Sequence, residues 1–111
     1  MQIYKTPLRE FKFLIEDFLN LKESETLKKL DLETSDLMLI IEEAAKLCEE
    51  TLLPLNQSGD SEGCSFNNGV VTAPKGFKEA YKTFSENGWQ GLKVKEEFGG
   101  QNLPYIMNMI L

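Results

Sequence analysis

Residues 31–54, DLETSDLMLIIEEAAKLCEETLLP, decide the fold. Leu37, Ile40, Ile41, Ala44, Leu47, Cys48 and Leu52 return every three or four positions, while Glu42, Glu43, Lys46, Glu49 and Glu50 mostly fall elsewhere. That spacing predicts one long amphipathic helix with a single apolar face. Asp31, Thr34 and Ser35 offer side-chain oxygens to cap its start, and the acids of the first turn suit the positive end of the helix dipole. Pro54 disfavours helical backbone at Leu53, so the helix is expected to end near there.

Working outward, Thr6-Pro7 opens an earlier helix: a cap-type residue followed by a proline suited to a first helical turn. Leu8, Phe11, Ile15 and Phe18 form its face, widened by Phe13, Leu14 and Leu19. Lys22 to Thr26 reads as a polar connector, with a further turn over Leu27 and Leu30. On the other side, residues 56–69, NQSGDSEGCSFNNG, lack apolar periodicity and read as a loop. Asn68-Gly69 signals a hairpin pairing Cys64-Ser65-Phe66 with Val70 to Thr72. So small a ribbon is marginal alone and is expected to lie against the helices.

A third helix opens near Pro74 and runs to about Glu86 or Asn87, with Phe77, Ala80, Tyr81 and Phe84 on one face. Gly88 falls where a helix wants a left-handed residue, and Trp89 is expected to pack back onto Phe84 as a helix-end anchor rather than stack on a ligand. Gly91 and the Gly99-Gly100 pair permit backbone geometry or close approaches that side chains forbid, and Asn102 tolerates a left-handed conformation. Pro104 is placed to begin a fourth helix of barely two turns, almost wholly apolar from Tyr105 to Leu111. Such a helix is unstable alone. It reads as an amputated element with uncovered apolar surface, which predicts self-association.

The totals exclude several function classes. A composition 41% hydrophobic and 27% charged is that of an ordinary globular chain. A net charge of −6 argues against a nucleic-acid partner, and the lysines sit among acids on predicted helix faces. The absence of histidine removes the commonest general base and metal ligand together. Cys48 falls on a helix's apolar face and Cys64 in a polar turn; their spacing matches no zinc or redox motif, and a disulfide between them is left open. The N-terminus lacks a secretory layout and no run suits a membrane span, so a cytoplasmic, reducing setting is expected. Asp60 and Glu62 before Gly63 invite a calcium loop, but its first position would be Ser58 and its twelfth Gly69. The glycines at 88, 91, 99 and 100 fit no nucleotide-binding spacing. Glu42-Glu43 and Glu96-Glu97 are adjacent pairs pointing apart, and no nucleophile has a histidine partner. No catalytic, cofactor-binding or metal-ligating residue is therefore assigned.

Three stretches taken in order carry a resemblance: YKTPLREFKFLIEDFL at 4–19, LPLNQSGDSEGCSFNNGVVTAPKGFKEAYKTFSENGWQGL at 53–92, and EEFGGQNLP at 96–104. Together they resemble the N-terminal part of a flavin-dependent acyl-CoA dehydrogenase, of the longer branch with an N-terminal extension that includes enzymes for methylthio-propanoyl-CoA-type substrates. Asn102 stands where that family usually has glycine in a Gly-Gly-x-Gly-Leu-Pro arrangement. The resemblance implies a mainly α fold, a small helical bundle with a short β-hairpin. It divides the chain into an extension at 1–30 and the N-terminal helical domain at 31–111, truncated at its C-terminus. It further implies a middle β domain and a C-terminal helical domain as partners, FAD and an acyl-CoA substrate in the full-length enzyme but no cofactor on this segment, and a homo-oligomer. The competing expectation is a free-standing helical interaction module docking through Ile106 to Leu111.

Overall fold

The computed structural model describes residues 3–111. Helix α1 (Leu8–Phe13) follows Pro7 directly and passes into a π-helical turn, Leu14–Phe18. Asn20, left-handed at φ 48°, then reverses the chain into a 3₁₀ turn, Leu21–Glu23. Helix α2 (Glu25–Leu30) is capped by Ser24, whose Oγ accepts from the Leu27 N–H at 3.2 Å. Asp31 is not the cap of the long helix; it ends α2 in a left-handed conformation at φ 53°.

Helix α3 (Thr34–Lys46) starts from Glu33, whose N–H donates to Asp36 Oδ2 at 2.8 Å. Glu33, rather than Thr34 or Ser35, thus takes the cap position. The expected stop at Pro54 does not occur. A π-helical turn, Leu47–Leu52, carries the chain into α4 (Leu53–Glu62), with Pro54 in the first turn of the new segment. The shifted π register supplies the reason: a proline lacks an N–H and crowds the carbonyl four residues back, and a register change there removes both conflicts. Helix α4 consequently takes up residues 56–62, half of the stretch expected to be loop. Ser58 Oγ donates back to the Pro54 carbonyl at 3.3 Å, so that polar side chain stays within its own helix.

Strands β1 (Ser65–Asn67) and β2 (Val70–Thr72) pair antiparallel, with Phe66 opposite Val71. Asn68 at φ 48° and Gly69 at φ 80° take the two left-handed positions a tight hairpin turn requires. The ribbon does not lie against the helices: Phe66 is 75% exposed and Val71 68%. Its base is closed instead by Glu62, whose two carboxylate oxygens each accept from the Lys75 N–H at 3.1 Å.

Helix α5 (Phe77–Glu86) ends as expected, with Gly88 left-handed at φ 75° and its N–H donating to the Ser85 carbonyl at 3.0 Å. Two 3₁₀ turns, Trp89–Gly91 and Glu96–Phe98, lead to α6 (Tyr105–Ile110). Ile15, Leu27, Leu37, Met38, Ile41, Leu92 and Met107 form one buried cluster, drawn from both ends of the chain. The apolar tail is accordingly less bare than its composition predicts. Met107 is buried and Ile106, Ile110 and Leu111 pack against the cluster, leaving Tyr105 and Met109 exposed. Trp89 also packs on this cluster and shares a cleft with Leu39 and Ile40 of α3.

Candidate functional site

Two glycines bring α4 and α5 together. A Cβ on Gly59 would run into the Phe77 ring, and one on Gly76 would stand 2.7 Å from Leu55 Cδ2. Gly76 also needs its φ of +87°, which an L side chain rarely adopts. Beside this close approach the two helices leave an open groove of about 560 Å³, lined chiefly by Tyr4, Leu52, Leu55, Phe77, Tyr81 and Phe84. The lining is mainly aromatic and aliphatic, with the Asn56 amide and the Cys48 thiol beside them and no charged side chain among the described residues.

One wall of the groove is the N-terminal strap that carries Tyr4. Glu49 holds it: its Oε2 accepts from Lys5 Nζ at 2.6 Å and its Oε1 from the Thr6 N–H at 2.9 Å. The Lys5 ammonium first, and the Thr6 N–H next, hold the Glu49 carboxyl at about 2. Cys48 lines the groove half-buried, and burial, followed by the charge of Glu49, pushes its thiol up. Cys48 and Cys64 are both free thiols, which resolves the disulfide question. A raised thiol without a base suits contact, not nucleophilic attack.

The acids considered for chemistry are placed apart. Glu62 closes the hairpin, Glu43 pairs with Lys46, and Glu97 lies 3.7 Å from Lys95. Among the described residues no group of three or more His, Cys, Asp or Glu side chains could hold a metal ion. No helix of the described residues is long and apolar enough to cross a membrane. Sequence reasoning missed Glu49, Gly59 and Gly76. Glu49 looked like one more surface acid because its partners lie 43 and 44 residues away. Gly59 sat inside the supposed loop, where no helix pattern drew attention to it.

Among the described residues the groove lining therefore presents mainly apolar surface and no charged acid, base or cation. Comparison with known proteins supplies the family context. No protein-family model matches the chain. Over 105 residues, 94% of its length, the chain is 36% identical to the 3-methylmercaptopropionyl-CoA dehydrogenase of Ruegeria pomeroyi, of which it spans 18%. Over the length that it has, the chain is a sequence relative of that dehydrogenase, consistent with an N-terminal acyl-CoA dehydrogenase domain.

Proposed function

We propose that this chain is the N-terminal helical domain of an FAD-dependent acyl-CoA dehydrogenase, serving an enzyme that α,β-dehydrogenates acyl-CoA thioesters. The observation that carries the reading is the 36% identity sustained over 94% of the chain. Residues 1–30 act as an extension whose Ile15 and Leu27 share the core of residues 31–111. No step of the dehydrogenation is assigned to these residues. Flavin and thioester belong to middle and C-terminal domains of the kind the family supplies, and the role of this domain is to pack on them in a cytoplasmic oligomer.

The chain mixed with FAD, an acyl-CoA and an electron acceptor is expected to give no flavin bleaching. Added to the Ruegeria pomeroyi enzyme stripped of its matched segment, it is expected to restore acyl-CoA-dependent bleaching. Turnover by the chain alone, or no restoration in the mixture, contradicts the proposal.

A further inference from the structure

We propose that residues 3–7 form a latched lid, held shut by Glu49, that controls access to Cys48 and to a recess beneath it. Such a device goes beyond the enzymatic reading and does not rest on it. Residues 3–7 adopt neither helix nor strand, and Ile3 is 85% exposed. Among the described residues, both hydrogen bonds that tie this strap to the helices end on one carboxylate: Lys5 Nζ and the Thr6 N–H donate to Glu49. A segment with so few anchors belongs to the low-stability end of a fold and opens locally before the core does.

Glu49 lies in the π-helical turn Leu47–Leu52, next to Cys48, which faces the groove. Two apolar spaces meet there. One is the groove between α4 and α5; the other is a recess of about 30 Å³ on the core side, lined in part by Thr6, Phe11, Ile41 and Leu111. Tyr4 and Cys48 border both, so the tyrosine ring stands as a partition between them. That ring travels with the strap. Releasing Glu49 lets it swing out, which joins the recess to the groove and bares the Cys48 thiol. The two latch bonds are unequal. The Lys5 side chain is 80% exposed, so water screens its ion pair and the pair contributes little. The Thr6 N–H bond is part-buried, and breaking it leaves a donor short of its acceptor.

The full chain carrying Cys64→Ser keeps Cys48 as its one thiol and serves as the parent for the test. Two maleimides with the same reactive group, N-methylmaleimide and the bulkier N-(1-pyrenyl)maleimide, are reacted with it, and the ratio of their rates is read. Removing the Glu49 charge also eases ionisation of the thiol, but that moves both rates alike; only an opened lid favours the bulky reagent. Glu49→Ala is expected to raise the bulky-to-small ratio ~10-fold or more. Glu49→Gln keeps an acceptor for the Thr6 N–H and is expected to raise it by no more than ~3-fold. Tyr4→Ala removes the partition and is expected to raise the ratio by itself. Adding Glu49→Ala to it is expected to gain less than ~2-fold, since both changes act on one element. Gly99→Ala, a destabilising change elsewhere in the chain, is expected to leave the ratio alone, with circular dichroism confirming that each variant folds. A ratio that Glu49→Ala leaves unchanged overturns the proposal. So does one that Gly99→Ala raises as far, or that Glu49→Ala raises equally with and without Tyr4→Ala.

Discussion

The adjacent glycines Gly99 and Gly100 make different demands, and substituting each by alanine separates them. A Cβ at Gly100 would overlap the carbonyl and the Cβ of Val94, a collision with backbone that no rotamer change relieves. Overpacking of that kind costs about 1–3 kcal/mol. Relief by backbone movement disturbs the two hydrogen bonds nearest the contact: Gly100 N–H to the Lys95 carbonyl at 3.1 Å, and Asn102 N–H to the Val94 carbonyl at 2.8 Å. Each is worth about 1 kcal/mol, so Gly100→Ala is expected to cost about 3–5 kcal/mol in all. Gly99 has nothing within 4 Å of a built Cβ, but its φ is +82°. Alanine there meets only the left-handed backbone penalty, about 1 kcal/mol. Urea unfolding followed by circular dichroism reads the difference. With a slope near ~1.5 kcal/mol per M, Gly100→Ala is expected to lower the midpoint by roughly 2 M or more, and Gly99→Ala by less than ~1 M. If Gly100→Ala proves no more harmful than Gly99→Ala, the loop yields at Val94 and the steric argument is wrong.

Acid titration probes the strap. The Glu49 carboxyl sits at about 2, below its ordinary 4.5, because Lys5 and the Thr6 N–H favour its charged form. Its stabilising contribution is therefore full above pH 4.5 and disappears as pH falls through 2. Thermal midpoints of wild type and Glu49→Gln are expected to differ at neutral pH and converge between pH 4.5 and 2; a constant gap would show that the bonds to Lys5 and Thr6 do not control the titration. The packing of the tail is tested by a pair of methionines. Met107, 2% exposed, is expected to lose about 2–4 kcal/mol on replacement by alanine, whereas Met109, 73% exposed, should change by under ~0.5 kcal/mol. Equal effects in chemical denaturation would mean that α6 is not docked as described.

Local rules were readable before any coordinates. The three- and four-residue spacing from Leu37 to Leu52 marked α3, and the run from Leu8 to Phe18 marked α1 and the turn that extends it. Asn68-Gly69 set the hairpin to within a residue, and Gly88, Gly99 and Asn102 take the positive φ values their identities suggested. These features depend on backbone preferences and side-chain periodicity, which act over a few residues and so are written in neighbouring letters. Pro54 shows the limit of that grammar. A proline normally ends a helix, but the packing of α4 on α5 through Gly59 and Gly76 accompanies a π turn that lets the helix continue past it.

The candidate site was hardly visible in the chain's order of residues. The faces of α5 and of the long helix could be read, but not that they border one groove, nor that Tyr4 forms its wall. That wall depends on Glu49 meeting Lys5 across 44 residues, a pairing no local pattern encodes. The tail tells the same story: its apolar letters predicted uncovered surface, and only its docking on the core decided that Met107 is buried while Met109 is not. Propensity belongs to the segment, and coverage belongs to whatever distant segments the folded chain brings alongside it.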